Sequence, residues 1–368
     1  MKICLVGSLP VELGGKVKGG IASHIGELAK NLTLKQHQVV LFANDVNHNV
    51  ADNVISYDSQ YEKIKCAFLG LLKFGLVSDT HYTFKQKVKI LSDAYKLNTL
   101  SCQGLDVFHV HSLHNLAAKA CEIAKINYVV SDHGFWQKSA PEGYVANNIK
   151  AANKIISISN ISRDSVLQLS VDSERVTKIN NPIASIEYSK KVTDSVFRVY
   201  FNGISDGWHR KGLSYISAVL PSILEIENIE LTIVTDDASL EQLRNENPDL
   251  ASYNNLKTSP ALTREENLQR LADSDLFLSP SLSEGFSIAY LESVMLGVPV
   301  LGFKSNVDEI NDLLNIDFCV PFEHDIDNLV DKILYVKNRD KISDIDTGIF
   351  TWDSNINKYI FEYQNCIR

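Results

Sequence analysis

Short runs of β-branched and aromatic residues alternate along this chain with segments whose apolar residues recur at helical spacing, and the whole alternation happens twice. The first series has strand-like runs at 3–6, 39–43, 107–111, 128–131 and 154–157, separated by helical patterns such as 21–36, 113–125 and 159–169. The second has runs at 197–201, 231–234, 276–279 and 298–302, again with helical stretches between them. Alternating strands and helices point to parallel sheets covered by helices, an α/β architecture. At 368 residues the chain exceeds what one hydrophobic core usually supports, so two such domains are expected. Residues 181–196, with Pro182 and few periodic positions, read as the linker, which gives domains of 1–186 and 187–352. The last segment, 353–368, reads as a further helix capped by Asp353.

Composition narrows the class. With 45% apolar and 22% charged residues the chain is an ordinary soluble globular protein. Its six cysteines are scattered without a CxxC pair, which suits free thiols in a reducing compartment. The start, MKICLVGSLP, has too short an apolar run for a signal peptide, and the apolar stretch 66–72 stops at Lys73, too soon to span a bilayer. A cytoplasmic protein is expected. The net charge of −9 conceals a split: residues 1–186 hold 20 Lys/Arg against 15 Asp/Glu, and residues 187–368 hold 16 against 30. The first half therefore suits an anionic partner or surface. Nucleic acid is excluded as that partner, because no basic cluster is interleaved with aromatics.

The chemistry concentrates in SEGFSIAYLESVMLGVPVLGF, residues 283–303. The apolar run 275–281 is a buried strand, Glu284-Gly285-Phe286 turn the chain, and Ser287 to Met295 resume at helical spacing. In open α/β sheets ligands bind at such strand ends. Free amides near Ser287, Ile288 and Ala289 would make an anion site at the helix start. Glu284 and Glu292, beside it, suit hydroxyls instead. Phosphates in the middle with polyols at the ends describe a nucleotide sugar.

This stretch, PS-x-x-EGF followed by GVPV, resembles the glutamate-seven-residues-glutamate signature of the retaining GT-B glycosyltransferases of family 4. The resemblance implies that Glu284 contacts the transferred sugar and Glu292 the ribose, with Gly285, Phe286, Ser287 and Ile288 around the donor. It further implies two Rossmann-like domains facing across a cleft, with the final helix crossing back to the first. Arg210-Lys211-Gly212 follow the strand 199–203 and precede a helix read over 213–224. Lys211 matches the family lysine that neutralises the departing diphosphate. The family's earlier arginine is displaced, Ile204 or a neighbour standing there, and Arg210 is the available substitute. Fixed cations with helix donors stabilise a leaving diphosphate without a metal, so no cofactor is expected and a UDP-sugar is the expected donor.

Gly19-Gly20 open the helix 21–36, at a spacing unlike the dinucleotide fingerprint, and resemble the family's Gly-Gly loop near phosphates and acceptor. His133 ends the strand YVVSDHG and resembles the family histidine beside the donor sugar. His111, with Gly20, falls on the acceptor side. His109 and His111, with His114 nearby, share a strand face as zinc ligands would, although no further cluster completes such a site. Asp325-Ile326-Asp327 and Asp344-Ile345-Asp346 match the DxD pattern of metal-dependent transferases, but neither follows a buried strand, and a cap or surface role fits both.

Residues 63–76, KIKCAFLGLLKFGL, interleave lysines with bulky apolar residues, and Lys85, Lys87 and Lys89 follow. Two readings stay open: a basic amphipathic helix on an anionic membrane, or a core helix with a solvated face. The implied reaction is retaining sugar transfer to a glycan or lipid-linked acceptor in bacterial surface polysaccharide or glycolipid synthesis, at the inner face of the membrane. A GT-B homologue without catalysis, serving as partner or chaperone in a glycosylation complex, is the alternative.

Overall fold

The computed structural model describes residues 1–16, 19–44, 46, 51–57, 59–112, 116–134, 140–192, 194–204, 206–342 and 345–367. They divide into two compact units, Met1–Ala184 with Phe350–Arg368, and Ser185–Ile349. The break falls in an extended segment, which has no periodic apolar residues to commit to either sheet.

The first unit is built on seven parallel strands: β1 Lys2–Val6, β2 Gln38–Phe42, β3 Val54–Ile55, β4 Val107–His111, β5 Tyr128–Asp132, β6 Lys154–Ser157 and β7 Val176–Lys178. Their order is β3-β2-β1-β4-β5-β6-β7, so the winding reverses between β1 and β4. Alternation within β1 sorts side chains between the two faces. Cys4 and Val6 join a core with Phe108, Val110 and Tyr128, while Ile3 and Leu5 join one with Ile25, Leu28, Ile356 and Tyr359. The second core is closed by the helix Trp352–Ile367, which returns after the other unit is complete. That helix starts one residue earlier than expected, so Asp353 lies in its first turn and is not its cap.

The second unit has six parallel strands, β8 Phe197–Gly203, β9 Ile229–Thr235, β10 Leu256–Ser259, β11 Leu276–Ser279, β12 Val300–Phe303 and β13 Val320–Phe322, in the order β10-β9-β8-β11-β12-β13. Its reversal lies between β8 and β11, where Val199 pairs Leu276 and Tyr200 pairs Phe277. The helix read over 213–224 is two helices, Leu213–Ala218 and Leu220–Leu224. Pro221 lacks the amide that would continue the first, so the chain restarts with proline in the new first turn. The helix read over 113–125 is seen as Ala117–Ala124, with 113–115 outside the described residues. No helix among the described residues is long and apolar enough to cross a membrane.

Candidate active site

Ligands of doubly wound sheets bind beyond the strand ends where the winding reverses. In the second unit those ends carry the loops after β8 and β11, and the two loops are tied to each other. The Leu282 amide donates to the Arg210 carbonyl at 2.9 Å. Gly212 has φ 81°, and a Cβ there would stand 2.0 Å from the Pro280 carbonyl oxygen. No residue but glycine lets these backbones approach so closely. This contact delivers Lys211 to Glu284: the ammonium donates to Oε1 at 2.6 Å, with Arg210 Nη1 3.9 Å from the same oxygen. Glu284 is buried, so these cations stand in for the water its carboxylate has lost.

Glu292 lies on the helix Ile288–Met295, buried, with Arg264 Nη2 2.7 Å from Oε1. Burial pushes this carboxyl above its ordinary value, and the Arg264 charge opposes that rise. The contact is a close ion pair, and a carboxylate has about four acceptor sites, which leaves Glu292 with acceptor capacity. Tyr290, on the same helix, fixes the neighbouring strand ends. Its hydroxyl donates to the Ser279 carbonyl at 3.0 Å and accepts the Phe303 amide at 2.9 Å.

The expected anion site needs one correction. The Ser287 amide is not free, because it donates to Asn306 Oδ1 at 2.9 Å, while Asn306 Nδ2 donates to the Gly285 carbonyl at 3.2 Å. Asn306 thereby braces the Glu284-Gly285-Phe286 turn from the helix Lys304–Leu314, and the first-turn donors left are Ile288 and Ala289. Asp325 accepts from the Asp327 amide in a tight turn before the helix Leu329–Asn338, a local role; Asp344 lies outside the described residues.

In the first unit the reversal between β1 and β4 gathers histidines. Gly19 and Gly20, both exposed, open the helix Gly20–Leu34, whose start has no side-chain cap. Among the described residues a Cβ on Gly19 would meet nothing within 4 Å, so no close approach of theirs requires glycine there. His24, on that helix, is buried with His111 and His133, and its ring lies 5.7 Å from the first and 5.3 Å from the second. His111 Nδ1 and His133 Nε2 are 3.3 Å apart. Asp132 sets the turn that carries His133, accepting from the Gly134 amide at 2.7 Å and the Ser162 hydroxyl at 2.6 Å.

The returning helix covers the cluster: Trp352 stacks obliquely on His24, and the Tyr359 hydroxyl lies 3.4 Å from His24 Nε2. Burial holds all four rings neutral, His109 at about 3, His133 at about 4, and His24 and His111 well below their ordinary value, with neighbouring imidazoles adding to the effect at His109, His24 and His111.

His109, a possible zinc ligand by sequence, is committed elsewhere, its Nδ1 to the Tyr363 hydroxyl and Nε2 to Ser131, each at 2.8 Å. His114 lies outside the described residues. One ring nitrogen from each of His24, His111 and His133 lies within 4.8 Å of the others, against about 3.3 Å between ligands of tetrahedral zinc. The three rings form a buried polar cluster of a kind that could hold a metal ion, a site the sequence did not single out. Among the described residues His24 Nδ1 and His111 Nε2 have no hydrogen-bond partner, a costly buried state that a polar guest would relieve.

The residues not anticipated from sequence are Arg264, Asn306, Tyr290 and His24. Only His24 carried a local signal, four positions after Gly20 on the same helix face.

Two family profiles match the chain, Glycosyltransferase Family 4 over residues 18–185 and Glycosyl transferases group 1 over residues 205–344. An uncharacterized glycosyltransferase of Methanocaldococcus jannaschii is 23% identical across 96% of this chain and 90% of its own length. The O-antigen biosynthesis glycosyltransferase WclY of Escherichia coli is 37% identical over 99 residues, 26% of this chain and 27% of that protein. Among solved structures, Anabaena HepE in complex with UDP and glucose is similar with a TM-score of 0.63 at 17% identity, over 99% of this chain and 97% of that one. What is shared with it is the fold, parallel-sheet α/β units of the GT-B kind.

Proposed function

The chain belongs to the family 4, group 1 glycosyltransferases, and we propose that it moves a sugar from a nucleotide-sugar donor, a UDP-sugar first among candidates, to a hydroxyl of a glycan or lipid-linked acceptor with retention of configuration. The observation that carries this reading is the pairing of three cations, Lys211, Arg210 and Arg264, with two buried carboxylates at the strand reversal of the second unit. An ammonium has three donors, and Lys211 gives one to Glu284. The other two suit a diphosphate, with Arg210 and the Ile288 and Ala289 amides as further donors. Glu284 accepts from hydroxyls of the transferred sugar, and Glu292, which keeps acceptor capacity beside Arg264, accepts from the ribose. Gly285 and Phe286 supply the turn against which the donor lies.

In the reaction the bond from the anomeric carbon to the diphosphate oxygen breaks with its electron pair passing to the diphosphate. The acceptor oxygen attacks from the same face, and its proton goes to the departing diphosphate. Lys211 and Arg210 gain most when that charge develops, which is where fixed cations accelerate a step. In the first unit we assign Gly19 and Gly20 to the donor phosphates, Gly20 and His111 to the acceptor side and His133 to a contact with the sugar. Likeness to an O-antigen transferase supports a setting in bacterial surface polysaccharide or glycolipid synthesis. The catalytically inactive alternative rested on the displaced arginine, and Arg210, 3.9 Å from Glu284, supplies a cation in its stead.

A donor panel tests this. UDP, GDP, ADP and TDP sugars are screened by thermal shift and by hydrolysis, and one should raise the melting temperature and be turned over. Glu284→Gln should then nearly abolish transfer by the folded protein. Wild-type turnover in that variant, or a panel in which no donor binds, would sink the assignment.

A further inference from the structure

The helix Gln60–Phe74 is amphipathic the wrong way round for a helix whose only purpose is to pack on its own domain. Its buried residues are the small ones, Cys66, Ala67 and Gly70. They let it lie close against the helix Phe84–Cys102, where a Cβ on Gly70 would stand 2.3 Å from the Leu91 carbonyl oxygen. Leu71 and Phe74 pack partly against the core, but four of its large apolar residues face outward. Tyr61, Ile64, Phe68 and Leu72 recur at helical spacing along one stripe, which Leu76 and Phe84 extend beyond the helix end, and all six are between 59% and 84% exposed. The core-helix reading of 63–76 is thereby overturned for these positions. A contiguous exposed apolar stripe of this size marks an interaction surface.

The charges around it say what covers it. Lys65, Lys73 and Lys85 are exposed and Lys63 and Lys87 half-buried along the same two helices. The acids of those helices are already matched, Glu62 by Lys96 at 2.6 Å and Asp93 by Lys89 at 2.5 Å. An apolar stripe rimmed by lysines with no acid paired to them among the described residues suits an anionic bilayer, with the large side chains in the acyl boundary and the ammonium groups at the phosphates. A second copy would bring the same lysines face to face. We infer that Tyr61, Ile64, Phe68, Leu72, Leu76 and Phe84, with their lysine rim, seat this protein peripherally on an anionic lipid surface. The inference deepens the proposed function by placing a lipid-linked acceptor within reach, yet vesicle binding needs neither donor nor acceptor, so either can fail alone.

The test is cosedimentation of the full chain with vesicles of phosphatidylcholine alone and of phosphatidylcholine with phosphatidylglycerol. Binding should appear on the anionic vesicles at low salt and weaken as salt rises. Each lysine near the surface is worth about fivefold in partitioning, so Lys65→Glu with Lys85→Glu should lower it by at least about 25-fold. Phe68→Ser with Leu72→Ser, both exposed, should abolish binding while leaving circular dichroism and melting temperature unchanged. Equal binding to neutral vesicles, no binding at low salt, or variants that bind like the parent would overturn the inference. So would a dimer in solution that Phe68→Ser with Leu72→Ser dissolves, since a second copy would then own the stripe.

Discussion

Removing Lys211 should cost the second unit far more than neutralising Glu284, although the two share one contact. Glu284 is 5% exposed and Lys211 19%, so the carboxylate is the member that cannot turn to water. Lys211→Met keeps the stem and strands a buried carboxylate. Breaking such a pair from one side costs about 3–5 kcal/mol, and Arg210 at 3.9 Å holds this case near 3 kcal/mol. Glu284→Gln leaves a part-hydrated ammonium that still finds an amide oxygen, so only the charge-assisted share of one hydrogen bond is lost, about 1 kcal/mol. The double variant has no stranded charge and should cost about 2 kcal/mol, less than the additive 4, a coupling of about 2 kcal/mol.

Hydrogen exchange at the β8 and β11 amides reads the opening of this unit alone. Exchange should accelerate about 150-fold in Lys211→Met, about fivefold in Glu284→Gln and about 30-fold in the double variant. Additive costs, or a Glu284→Gln penalty equal to that of Lys211→Met, would refute the claim that Lys211 neutralises a buried charge.

The raised Glu292 carboxyl means that its ionised form costs stability above its folded pKa and ceases to cost as pH falls through it. Glu292→Gln should therefore be at least as stable as the parent at pH 7 while binding donor at least tenfold more weakly, and calorimetry showing parent-like affinity would remove the ribose contact. The parent's donor affinity should itself fall on acidification, beginning above the usual carboxylate range; an affinity flat down to pH 4 contradicts this. Transfer should persist in excess chelator, because Lys211 and Arg210 supply the positive charge, and a loss restored by Mn²⁺ or Mg²⁺ would point to a metal-assisted step. The neutral buried histidines bind fewer protons folded than unfolded, so stability is full above about pH 6.5 and declines as pH falls toward the folded values of about 4 at His133 and 3 at His109. Acid titration followed by exchange at β4 and β5 should show the first unit loosening in that window; stability unchanged down to pH 4 would be at odds with buried neutral rings.

What was legible in the sequence follows from range. The strand, turn and helix holding Glu284 and Glu292 are one contiguous segment, so their periodicity and spacing were visible directly. Arg264 and Asn306 reach the same site from other helices, and no pattern along the chain joins Arg264 to Glu292 across 28 positions. The Ser287 amide was expected to be free because its partner, Asn306, lies 19 residues on. Four strands escaped notice: β3, β7 and β13 because two or three residues are too few to show a pattern, and β10 because LKTS is half-exposed with one strongly apolar residue. The stripe on Gln60–Phe74 was visible as composition, but which face packs was decided by Gly70 meeting Leu91, a contact between helices.

The helix Trp352–Ile367 lies in the first unit although it is encoded after the whole of the second. During synthesis residues 185–349 emerge as a continuous stretch able to close on themselves, whereas the earlier unit waits. Until Tyr359 and Tyr363 arrive, His24 and His109 lack their hydroxyl partners and the face formed by Leu5, Ile25 and Leu28 has no cover. At 5–20 residues per second that interval lasts about 10–30 s, during which a half-closed sheet must be kept from other chains. The later-made half is thus the one that can mature first, and the histidine cluster is assembled only once the helix Trp352–Ile367 has been made.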